Sequence, residues 1–248
     1  MKRNYMIDEP IPLQHKELVP RTAFHEAGHA AAIHLCNQQK QLPPVHFQIT
    51  LNGLCGAASQ TRLKKIGAKA NWVATVEGGH LIHSLPVSVI ENSHYFSKPE
   101  SCGYLNACEA DIVNLLAGPL AEAKYVAQRD DEYINVHLIN INSLRFYGGT
   151  SDLKKVDEYL EALTSTRKER IDKLDELFSA AFRFIDEPCH WQAITDLANY
   201  ILHNDKDIIS CEEASAVLDY SMASSAIISE YSGLSVFNAD SSLYRSVD

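Results

Sequence analysis

The stretch Arg21 to Asn37, RTAFHEAGHAAAIHLCN, constrains the fold more than any other part of the chain. It is dense in alanine, contains no proline, and follows Pro20, which the pattern puts at or just before a helix start, where its missing N–H removes nothing. Small residues occupy nearly every face. The helix this predicts is therefore buried, with neighbouring elements packed close.

Within it stands His25-Glu26-Ala27-Gly28-His29. Two histidines four residues apart project from one helix face about a turn apart, so both imidazoles can reach one zinc at about 2.0–2.1 Å. Glu26, one residue round, can lean over the open metal position and accept a proton from water. With 11 His and 17 Glu in 248 residues, independent draws give this pattern a chance of only about 3% somewhere in the chain. A catalytic zinc site also needs a third protein ligand. Spacing alone leaves His46, His80, His83, Glu122 and Asp152 open as candidates.

Around this helix the pattern is that of an α+β, mainly α-helical fold. Val45, Phe47, Ile49 and Leu51 alternate with polar residues, which predicts a half-buried strand. Asn52-Gly53 marks a turn, and Leu54 to Leu63 is the expected hairpin partner. Residues 64–99 read as a loop-rich insertion with a short strand around Trp72 to Val76. A helix follows over Asn106 to Gln128, which Gly118-Pro119 should bend or locally break. Four more helical patterns, Ser151 to Leu163, Arg167 to Phe184, Cys189 to His203 and Cys211 to Tyr220, predict a C-terminal helical bundle. Ser210 and Glu213 form a capping box at the start of the last of these. Residues 1–19 read as an extended lead-in, and 221–248 as a loosely ordered, Ser-rich tail.

Composition narrows the functional classes. A net charge of -10 makes nucleic acid an unfavourable partner. No window has the roughly 18 apolar residues of a membrane span, and no signal peptide is evident, so the expectation is a cytoplasmic protein without a membrane anchor. The six cysteines lack any Cys-x-x-Cys pair and read as reduced core residues. His34, some 140° round the helix from His29, faces away from the metal and reads as structural. His80 and His83, in a Gly-rich loop, read as solvent-exposed.

Three motifs then point to a family. Thr22-Ala-Phe-His-Glu-Ala-Gly-His-Ala30 resembles the zinc motif of the FtsH-type ATP-dependent metallopeptidases. Leu116-Ala-Gly-Pro-Leu-Ala-Glu122 resembles that family's Leu-Gly-Gly-Arg-Ala-Ala-Glu segment, and Gly148-Gly-Thr-Ser-Asp-Leu153 its Gly-Ala-Ser-Asn-Asp-Leu. Pro44 to Gly53 is similar to the strand after the family's zinc helix, and Trp191 to Glu213 to its last helix pair. The likeness spans residues 20–220.

The resemblance implies that Asp152 is the third zinc ligand beside His25 and His29, and that Glu26 is the general base. It implies a supporting role for Glu122, orienting one of the histidines. The implied activity is a zinc metalloendopeptidase acting on unfolded polypeptides or peptides. Such a domain could work as a homo-oligomer or with a separate ATPase, because the chain has no Gly-x-x-x-x-Gly-Lys-Ser/Thr run of its own. Pro119 also replaces the family's arginine. Two other classes stand beside this reading: a catalytically silent binding or regulatory module, and a zinc hydrolase of a non-peptide substrate.

Overall fold

The computed structural model describes residues 15–52, 73–82, 98–135 and 139–240. Its elements in order are helix α1 (His15–Ala31), strand β1 (Phe47–Asn52), strand β2 (Val73–Gly78), helix α2 (Lys98–Arg129), a 3-10 turn (Ile141–Phe146), helices α3 (Thr150–Leu163), α4 (Arg167–Asp186) and α5 (Pro188–His203), strand β3 (Ile208–Ser210) and helix α6 (Cys211–Asp240). The fold is α+β and mainly helical, as the sequence implies. Among the described residues no helix is long and apolar enough to cross a membrane.

The alanine-rich helix is the centre of the molecule. Ala23, Ala27, Ala30 and Ala31 have no exposed surface, and α1 packs chiefly on α2 and α5. Gly28 sets the crossing with α2: a Cβ there would lie 2.6 Å from Ala121 Cβ and 2.7 Å from Ala117 O. The backbones approach closely because neither helix offers a larger side chain at that point. Phe24 stacks on Tyr125 at 4.3 Å and on Trp191 at 5.6 Å, joining α1, α2 and α5.

Two boundaries differ from expectation at α1. The helix begins at His15, so Pro20 lies inside it and residues 15–19 are helical rather than extended. Pro20 has no N–H, so the helix forgoes one hydrogen bond, to the carbonyl four residues back in its first turn. At the other end, Ala32–Cys36 widen into a π-helical turn. This turn carries His34, which faces away from the histidine pair and bonds to α6 through Asp219 Oδ1 at 2.7 Å and Ser215 Oγ at 3.3 Å.

The sheet has the order β2-β1-β3, antiparallel throughout. Phe47, Ile49 and Leu51 of β1 are fully buried, which follows the predicted alternation. The partner of β1 is β2, with Ile49 opposite Val76; it coincides with the short strand expected around Trp72 to Val76 inside the loop-rich segment. The expected hairpin strand over residues 54–63 lies outside the described residues, as do His83 and His94.

Helix α2 runs through Gly118-Pro119 as one element. Gly118 has a local reason: a Cβ there would overlap the His29 ring. The bundle helices begin close to the predicted positions. Thr166 and Glu169 form a capping box on α4, and the predicted box on α6 is present, with Glu213 N donating to Ser210 Oγ at 3.3 Å and Ser210 N to Glu213 Oε2 at 3.1 Å. The tail expectation is corrected for residues 221–240, which extend α6 as a helix. Residues 241–248 lie outside the described part. The serines there did not break the helix, since Ser has ordinary helix propensity between the alanines and isoleucines of this run.

Candidate metal centre

The site is assembled from α1, α2 and the start of α3. His25 and His29 stand one turn apart on α1 with their Nε2 atoms 3.1 Å from each other. Asp152, in the first turn of α3, brings Oδ2 to 3.4 Å from His25 Nε2 and 3.7 Å from His29 Nε2. All three residues are buried. They form a group able to hold a metal ion. Arms of 2.0–2.2 Å in a tetrahedron put ligand atoms about 3.3–3.6 Å apart, which matches the observed spacing.

The hydrogen bonds behind the ligands also fit a cation. His29 Nδ1 faces Asn114 O at 2.8 Å, and His25 Nδ1 faces Glu122 Oε2 at 3.1 Å and Tyr147 O at 3.2 Å. These acceptors assign the Nδ1 hydrogens, leaving both Nε2 atoms to converge on Asp152 Oδ2. That oxygen is buried without a well-formed hydrogen bond. Three electron-rich atoms so placed repel one another unless positive charge sits among them.

In the metal-free chain that charge is a proton on His25. Burial works to lower the His25 pKa, but the Asp152 and Glu122 carboxylates outweigh it and raise it to about 10. Burial likewise disfavours the Asp152 anion, yet His25 and His29 hold its carboxyl well below the usual carboxylate range.

Glu26 is also buried, and its Oε2 accepts the Val76 N–H of β2 at 2.7 Å. Burial pushes its pKa up, opposed by the two histidines and by that N–H. Glu26 lines a cleft of about 560 Å³ together with His25, His29 and Asp152. The edge of β2 forms one wall, through Ala74, Thr75 and Val76, and the exposed Phe146 stands at the rim.

Of the candidate third ligands, Asp152 joins the histidines and Glu122 stands behind His25. His46 is exposed just before β1, and His80 lines a smaller recess beside His29. His83 lies outside the described residues.

Arg21 is the participant that sequence reasoning missed. Its Nε donates to Glu122 Oε1 at 2.7 Å, its Nη2 donates to Phe146 O at 2.9 Å, and its guanidinium lies over the Tyr147 ring. It therefore holds both groups that hold His25. The available signal was its spacing, four residues before His25 on the same helix face. Gly148, at φ +72, is the turn that lets the chain pass this cluster; a Cβ there would lie 3.0 Å from the His25 ring and 3.1 Å from Glu122 Oε2.

In comparisons with known proteins, the chain matches no protein-family model and no curated protein.

Proposed function

We propose that the protein is a zinc-dependent metalloendopeptidase acting on extended segments of unfolded proteins or peptides, of the FtsH-peptidase type and independent of ATP in this chain. The observation that carries the reading is the convergence of His25, His29 and Asp152 on one point in a cleft that also holds Glu26. A structural staple has no need of an acid–base carboxylate in the same cleft.

Zinc bound by these three residues would supply a Lewis acid that polarises a carbonyl and makes water more acidic. Glu26 is the residue to take a proton from the attacking water and return it to the leaving amine. Burial raises its pKa, which makes the carboxylate a stronger base for that exchange. Glu122 and Asn114 O orient the imidazoles, keeping each Nε2 aimed inward.

Strand β2 supports the choice of a peptide substrate. It pairs with β1 on one side, and among the described strands its other edge is free. Val76 N–H points off that free edge toward Glu26. Residues two apart on a strand point the same way, so Ala74 presents its backbone groups to the cleft as well. An extended peptide could add to this edge and lie across the metal position. A folded domain could not enter, which favours unfolded chains and is compatible with delivery by a separate ATPase. The free thiols of Cys36, Cys108, Cys189 and Cys211 support a reducing, cytoplasmic setting.

The test pairs metal analysis of the purified protein with cleavage of unfolded casein by wild type and Glu26→Gln. Stoichiometric zinc and cleavage lost in the variant are expected. Zinc without Glu26-dependent cleavage would instead favour a binding module or a hydrolase of another substrate.

A further inference from the structure

A recess of about 50 Å³ opens beside His29 and Asp152, between the end of β2, α2 and the start of α3. Its carboxylates are committed. Asp111 accepts from Leu81 N at 2.9 Å, Ile82 N at 3.0 Å and Tyr159 Oη at 2.7 Å, and Asp152 faces the histidines. Lys155 is the cation that lines this recess, and it lines the main cleft as well. It is exposed and makes no ion pair among the described residues, whereas its neighbour Lys154 pairs with Glu158. In a chain of net charge -10, this ammonium is a positive group on the lining of a cleft whose carboxylates, Glu26, Glu122 and Asp152, lie on its inner side, and it can draw in an anionic group.

Lys155 follows Asp152 by three residues on α3, so their Cβ atoms lie about 5–6 Å apart on one helix face. An extended peptide advances about 3.3 Å per residue. A substrate carboxylate held by Lys155 therefore belongs to a residue near the scissile bond.

We infer that Lys155 forms a carboxylate-recognition subsite beside the metal centre, selecting peptides with an acidic group close to the scissile bond. This rests on the peptidase reading and names its substrate class. The carboxylate has two possible sources, an Asp or Glu side chain and the free C-terminus of the peptide. Lys155 meets either one with an N–H donor and a positive charge.

The experiment measures binding without turnover, by fluorescence anisotropy on the zinc-loaded Glu26→Gln chain. The probes are labelled peptides of one apolar sequence in which Asp or Asn is placed at each position in turn, each made with a terminal acid or a terminal amide. At low salt the acidic member of a matched pair is expected to bind about three- to tenfold tighter than its amide, and the pair that shows this identifies the source. Lys155→Ala should abolish the preference and Lys155→Glu reverse it, while Lys154→Ala keeps it. Equal binding of acid and amide, or a preference that survives Lys155→Ala, overturns the inference and leaves the peptidase reading standing. If no peptide binds at all, the peptidase reading falls and this inference falls with it.

Discussion

Single side chains in this site act through their neighbours more than through direct contact. Arg21 touches no ligand atom, yet it bonds to Glu122 and to the Phe146 carbonyl next to Tyr147, and His25 Nδ1 is held between Glu122 Oε2 and the Tyr147 carbonyl. Groups that orient a metal-binding histidine typically affect affinity by 10- to 100-fold. Arg21→Ala and Glu122→Gln are accordingly expected to weaken zinc binding by about that factor, read by competition with a chromogenic chelator, with Lys at position 21 recovering part of it. An affinity unchanged by both substitutions would remove these residues from the site.

The His25 proton gives a second expectation at this scale. That proton is kept up to about pH 10 in the metal-free chain, so metal must displace it. The sign follows directly: below about pH 10, raising pH removes the competitor and apparent affinity rises, by about tenfold per unit for one proton. Calorimetry at pH 8 in buffers of different ionisation enthalpy should read about one proton released per ion bound. Binding with no proton released would contradict the raised His25 pKa.

At the scale of elements, close approach decides the arrangement. The crossing of α1 and α2 leaves no room at Gly28, where a Cβ would meet Ala121 and a backbone carbonyl. Gly28→Ala should destabilise the protein by about 1–3 kcal/mol, in the range of an overpacked core, measured by denaturant unfolding. Ser210→Ala removes one half of the α6 capping box and should take about 1 kcal/mol with it.

What the sequence made legible follows the same logic. The histidine pair, β1 and the bundle helices were readable because each leaves a local period or spacing. Asp152 entered through a family likeness, since nothing in its own surroundings separates a ligand from an ordinary helix-start carboxylate. Strand β2 was legible as a short strand around Trp72 to Val76, but its place as the partner of β1 was not, since that comes from tertiary pairing. Two other features left no local trace. Pro20 suggested a helix start, yet tertiary packing of Val19 on the core carries α1 a turn further back. The break expected at Gly118-Pro119 belongs to an isolated helix; in the fold, α1 and its His29 ring occupy the space that Gly118 vacates.

Across the whole molecule, the candidate metal position joins parts of the chain that are far apart in sequence. His25 and His29 come from the central helix, Asp152 from the helix after the 3-10 turn, and the supporting groups from α2. A ligand that binds the folded form alone stabilises it by about 2.7 kcal/mol at a concentration of 100 Kd. For a protein of this size that is about 5–10 °C in Tm, at about 2–4 °C per kcal/mol. Zinc should therefore raise the thermal midpoint by this amount and a chelator reverse it, while Asp152→Ala should show neither shift. A midpoint indifferent to zinc in the wild type would argue against metal binding to the native state.

The separation of His29 from Asp152 by more than a hundred residues also sets an order of events during synthesis. A growing chain that has just released α1 carries two histidines with no third ligand, no Glu122 behind them and no cleft around them. Only when the start of α3 has emerged can all the metal-holding atoms be gathered. Assembly of this His-His-Asp group is thereby deferred until the start of α3 has joined the chain that already carries α1 and α2.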